Sequence, residues 1–109
     1  MPLWNVESVE SQPKVELMDW QVQEVLGSHS ETKTRHFIGR LSDGSGRVSS
    51  AIQSYDPETR EGVTKSGRVY KLVRDSGLSI QAAYVWASWV GINAVTESKD
   101  VSDEYEPAQ

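Results

Sequence analysis

Eighteen consecutive residues, Leu78 to Val95, carry no Asp, Glu, Lys or Arg, although the chain as a whole is 25% charged. The run holds two of the four tryptophans. Ser79 stands where an N-cap belongs, with a hydroxyl able to accept from the first-turn amides, and Asn93 suits the left-handed position that closes a helix. At 100° per residue, Ile80, Ala83, Trp86, Ala87 and Val90 share one arc, and Val85, Trp89 and Ile92 fall on a second arc roughly opposite. Only Gln81 and Ser88 mark a polar wedge. A helix apolar on nearly all sides must be covered on both, or must itself cover something. The larger arc, with Trp86, is expected against the protein's own core. The second is then a candidate protein interface formed by Val85, Trp89 and Ile92, with a second copy of the chain or the N-terminal arm as its cover.

The run is shorter than the roughly 20 apolar residues that a membrane span needs, and Gln81, Ser88 and Asn93 interrupt it. No membrane association is expected. The N-terminal stretch has neither the basic nor the apolar region of a secretory signal, so the expected location is the cytoplasm. The absence of cysteine excludes disulfides and thiolate chemistry.

Upstream of the helix the periodicity changes from 3.6 to 2. Val15–Leu26, Thr34–Leu41, Arg47–Tyr55, Val63–Lys65 and Arg68–Arg74 read as strands, the first with a bulge near Asp19. Asp43-Gly44-Ser45-Gly46, the Asp56-Pro57 turn and Ser66-Gly67 separate them. These connections are short enough for neighbours to pair in sequence. The expected fold is therefore α+β, an antiparallel β-meander of about five strands packed against one C-terminal helix. Residues 1–12 are expected as a flexible N-terminal arm, 13–96 as the single domain and 97–109 as an acidic tail in which Val101 and Tyr105 are candidate docking residues.

The net charge of −5 is segregated. Residues 1–26 set five acids against Lys14, residues 27–77 set nine bases against six acids, and residues 78–109 set five acids against Lys99. Arg35, Arg40, Arg47, Arg68, Lys71 and Arg74 form a candidate basic face on the strands, near Phe37, Tyr55 and Tyr70. Such a face could stack single-stranded nucleic acid. The acidic whole and the lack of a single-strand fingerprint argue against that partner. The acidic flanks raise a further alternative, a phage-type regulator that occupies a host protein by charge mimicry.

Nucleophilic chemistry requires a nucleophile with a base in reach. His36 with Ser49 or Ser50 and Asp56 could be drawn as a triad, but no local motif supports it, and His29 stands in a loop. Neither the histidines nor the Asp56–Glu61 turn shows metal-ligand spacing. Gly44-Ser45-Gly46-Arg47 lacks the lysine and following helix of a phosphate loop. No catalytic residue, metal or cofactor is expected.

Gly46–Ala51 (Gly-Arg-Val-Ser-Ser-Ala), Asp56–Arg60 (Asp-Pro-x-Thr-Arg), Ser66–Tyr70 (Ser-Gly-Arg-Val-Tyr) and Tyr84–Trp86 (Tyr-Val-Trp) follow one another in this order. The series resembles a family of short, uncharacterised proteobacterial proteins and covers about residues 35–105. The family has no established activity, so the resemblance implies a small mixed domain and no catalytic residue. The expected function is non-enzymatic, as a small protein-interaction or self-association module. Three features separate the alternatives: an exposed apolar patch for interaction, a continuous basic face for nucleic acid, and a pocket with a perturbed titrating group for an enzyme.

Overall fold

The computed structural model describes residues 12–27 and 32–106, and the expected N-terminal arm lies, apart from Gln12, outside them. Seven strands and one helix follow in the order β1 (Lys14–Gly27), β2 (Thr34–Arg40), β3 (Gly46–Val48), β4 (Ile52–Asp56), β5 (Glu61–Thr64), β6 (Val69–Leu72), α1 (Ile80–Ile92) and β7 (Val95–Asp100), then a 3-10 turn at Ser102–Tyr105. The fold is α+β, with a mostly antiparallel mixed sheet packed against one helix.

The strand order is β3-β2-β1-β6-β5-β4, with β7 paired to β1 outside that path. Neighbouring meander strands are antiparallel, and β1 closes the circuit by pairing in parallel with β6, from Lys14↔Val69 to Leu17↔Leu72. β3 and β4 are two arms of one run, so the chain reverses four times between β1 and β6. An even number of reversals brings β6 back in the same sense as β1, which is why this one pair is parallel. The strand expected at 47–55 is split into β3 and β4. Between the two arms the chain passes from one neighbour to the other, the Ser49 amide donating to the Phe37 carbonyl of β2 (2.8 Å) and the Ala51 carbonyl accepting from the Lys65 amide just after β5 (2.8 Å).

β1 serves both halves of the sheet because it bends. Asp19 has φ 48°, and the β1–β2 register slips between Met18↔Arg40 and Gln21↔Ile38. That extra residue is the expected bulge. Beyond it, Trp20, Val22 and Glu24 share a face with Phe37 and Arg35 of β2, while Gln21, Gln23 and Val25 face the other way with Ile38, His36 and Thr34. The first face is the interior of the curled sheet, where Val15, Leu17, Trp20, Val22, Phe37, Leu41, Tyr70 and Leu72 are buried together. Gly62 lies so close to the Phe37 ring that a β-carbon there would collide with it, so only glycine lets β5 cross the top of that ring.

The second face carries α1. Ala82, Val85, Trp86 and Trp89 pack on Ile38 and Val48, and Gly46 is the point of closest approach, since a β-carbon there would overlap the Gln81 carbonyl. Ser79 caps the helix as expected, its Oγ accepting from the Ala82 amide at 3.2 Å. The other end differs from expectation. Asn93 has φ −94° and bonds back to Trp89, and the left-handed residue is Ala94, with φ 50°.

Two further expectations need correction. The helix is turned by roughly a third of a revolution: Val85 and Trp89 face the sheet beside Trp86, whereas Ile80, Ala83 and Ala87, expected inside, are exposed. The reason is area, because Val85, Trp86 and Trp89 bury more apolar surface than alanines can. Trp86 is half-buried, stacked on Trp89 with centroids 5.3 Å apart. The segment read as an acidic tail from 97 onward is part of the domain. β7 pairs with β1 from Gln23↔Asp100 to Gly27↔Val95, and Val101 and Tyr105 are buried in the interior cluster.

Candidate interaction surface

The chemistry-bearing side chains of the described residues are mostly occupied in holding the fold. Arg35 donates from Nε to Glu24 (2.9 Å) and from Nη1 to Glu104 (3.0 Å), and its guanidinium lies 5.9 Å from the centre of the Tyr105 ring. The hydrogen bonds that Arg35 donates to Glu104 and to the Tyr105 hydroxyl raise its pKa, and its hydrogen bond to Glu24 holds that carboxyl below its usual range. Arg40 is paired with Asp19 at 3.0 Å. Arg47 and Arg68 are buried. Arg68 Nε donates to the Gln12 carbonyl at 2.9 Å, while Nη1 of Arg47 has no hydrogen-bond partner among the described residues. Lys71 sits across the ladders from Glu16 and Glu61. Arg74 is exposed with φ 63°, and its carbonyl accepts from the Trp20 indole at 3.2 Å.

These six positions do not make one surface. In the β2–β3 ladder Arg35 and Arg47 point to the interior side of the sheet and Arg40 to the helix side. Arg35, the most central of them, has two carboxylates on it and offers little net charge to an anion.

His36 is buried beneath Trp89, ring centroids 4.6 Å apart. Its Nδ1 lies 2.8 Å from the Ser49 carbonyl, which can only accept, so Nδ1 carries the proton. Nε2 then accepts from the Thr34 hydroxyl, also at 2.8 Å. The Ser49 hydroxyl is engaged elsewhere, accepting from the Phe37 amide and donating to the Ser50 carbonyl. The three residues drawn as a triad therefore do not assemble into one, and His36 is a packed residue under the helix. His29 lies outside the described residues. Burial lowers the His36 pKa below its ordinary 6.5, so the fold favours the neutral ring. That contribution is intact above the unfolded-state value and is lost as pH falls through the lower folded-state value. Wild-type stability should accordingly drop more steeply between about pH 7 and 5 than that of His36→Gln, compared by denaturant midpoints. Parallel pH profiles would show that the ring does not titrate with unfolding.

The outer side of α1 is the feature without an internal role. Leu78, Ile80, Tyr84 and Ile92 are 74%, 82%, 76% and 63% exposed, and Ala83, Ala87 and Gly91 are exposed among them. Of the three residues expected as an interface, only Ile92 is exposed, and it is the last residue of the helix, on the stripe of sheet-facing Val85. Scattered apolar residues on a surface need no explanation, but four large ones on and beside one uncharged helix do. No model of a known protein family, no curated protein and no solved structure matches the chain. The residues themselves carry the functional argument. Among the described residues, no three His, Asp or Glu side chains cluster in a way that could hold a metal ion, and no helix is long and apolar enough to cross a membrane.

Proposed function

We propose that this domain is a non-enzymatic protein-interaction module whose recognition element is the outer face of α1. The observation that carries the reading is the contrast along one helix. Its inner side is spent on the sheet, and its outer side leaves Ile80 and Tyr84 in water with no charge from 78 to 95 to solvate them. Nothing in the domain's own stability is served by that arrangement, since exposed apolar side chains contribute no burial energy and favour aggregation. The basic residues support the same reading by default. They are dispersed over both sides of the sheet, and Arg35 and Arg40 are matched by carboxylates.

Placing a photo-crosslinking phenylalanine analogue at position 84 tests the reading in the organism that makes the protein. Discrete adducts are expected from position 84 and none from position 71 on β6. An adduct at twice the chain mass identifies self-association, and any other discrete mass identifies a different partner. Absence of discrete adducts of either kind would remove the proposal.

A further inference from the structure

We infer that the occupant of the outer α1 face is a second copy of this chain, bound through an antiparallel helix pair about a two-fold axis. The inference rests on the interaction-module reading and names its partner. Ile80, Tyr84, Ala87 and Gly91 follow one another at spacings of four, three and four residues, the seam along which one helix meets another. The seam is graded. Its N-terminal half presents two large side chains, Ile80 and Tyr84, and its C-terminal half two small residues, Ala87 and Gly91. A two-fold contact is self-complementary, with residue i on j and j on i. An antiparallel pair centred between Tyr84 and Ala87 sets Ile80 against the partner's Gly91 and Tyr84 against the partner's Ala87. Each large side chain then meets a small residue, and each pairing occurs twice. A parallel pair would set Tyr84 on its own copy and leave Gly91 facing Gly91 across a gap.

Gly91 supports the assignment independently. It lies within the helix, its φ is not positive, and a β-carbon added there would touch nothing. Glycine weakens a helix relative to alanine, and no described residue of this chain requires it at that position, whereas a facing Ile80 does. The extent is also suitable. Leu78, Ile80 and Tyr84 together expose on the order of 450 Å², within the range of the largest apolar patches on monomers. With the small residues of the seam the face suits the weaker, concentration-dependent end of specific interfaces. Two acidic chains repel at long range, and the charge-free run from 78 to 95 keeps that repulsion away from the contact.

Sedimentation velocity of the purified chain across roughly a hundredfold dilution is the test, because a dimer responds to protomer concentration. Dimer is expected at the top of the range, and Tyr84→Glu should give a folded monomer throughout. Ala87→Tyr should weaken association by at least about tenfold by placing two tyrosines against each other. The exchange Tyr84→Ala/Ala87→Tyr should restore it, since large again meets small, and only an antiparallel pair predicts that rescue. A wild type that is monomeric at every concentration overturns the two-fold pairing and leaves the module reading to the crosslinking masses. A dimer indifferent to Tyr84→Glu, or an exchange variant as weak as Ala87→Tyr alone, overturns it as well.

Discussion

Trp20→Ala is expected to cost about 3–5 kcal/mol, a large part of the roughly 5–15 kcal/mol that holds a domain folded. Trp20 has no exposed surface and stands in the interior cluster. Its indole proton bonds the Arg74 carbonyl, and the Arg60 guanidinium lies 5.6 Å from the ring centre. The substitution therefore opens a cavity, leaves a carbonyl short of its donor and removes the ring on which Arg60 rests. Tyr84→Ala provides the contrast. It removes a side chain of similar size from an exposed position and should change monomer stability by no more than about 0.5 kcal/mol. Denaturant titration of the two variants reads both values. A Trp20 variant within about 1 kcal/mol of wild type would mean that the interior packs on something other than this ring.

A chain ending at Thr96 is expected not to fold. Truncation there removes most of the β7 ladder on β1 and two buried hydrophobic residues, Val101 and Tyr105. Burying each is worth about 1.5–3 kcal/mol, and the edge-on contacts of Tyr105 with Phe37 and Tyr55, centroids at 6.0 and 4.9 Å, add about 0.5–1.5 kcal/mol each. Val22 loses more than a neighbour. Its buried amide donates to the Ser102 hydroxyl at 2.9 Å, and its carbonyl accepts from the Val101 amide at 2.9 Å, so truncation leaves both groups unpaired at about 1–3 kcal/mol each. Together these approach the stability of a small domain. Amide dispersion and near-ultraviolet circular dichroism of the truncated chain report the outcome. Retained cooperative unfolding would show that the segment is an appendage.

The elements legible in the sequence are those whose local chemistry decides them. In β1 the alternation of Trp20 and Val22 with Gln21 and Gln23 matches the faces they occupy, although it is broken upstream at the Asp19 bulge, and the Ser79 cap fixes the helix start. β7 was illegible because Thr96-Glu97-Ser98-Lys99-Asp100 is polar throughout and exposed. It is a strand only because β1 offers it an unpaired edge, and no periodicity records that. The parallel β1–β6 pair is likewise a product of closure. The helix face was misread because two apolar arcs of similar strength cannot be ranked by periodicity. Ranking by side-chain size would have put Trp89 and Val85 inside and left Ala83 and Ala87 outside. The basic face failed for a related reason: sequence placed Arg35, Arg40 and Arg47 on strands, but the pairing register decides which side of the sheet each one occupies, and Glu104 reaches Arg35 from 69 residues away.

The position of β1 has a consequence for synthesis. Its lower half completes its pairing only with β6, and its upper half with β7, so the earliest strand of this domain to leave the ribosome waits for the latest. Until residues near 100 have emerged, Leu17, Trp20 and Val22 have no complete interior to enter, and one edge of β1 stays open to other chains. Folding cannot be banked piece by piece as the polypeptide lengthens. It has to occur as one late event, and the nascent chain depends on whatever shields an open strand edge in the interval.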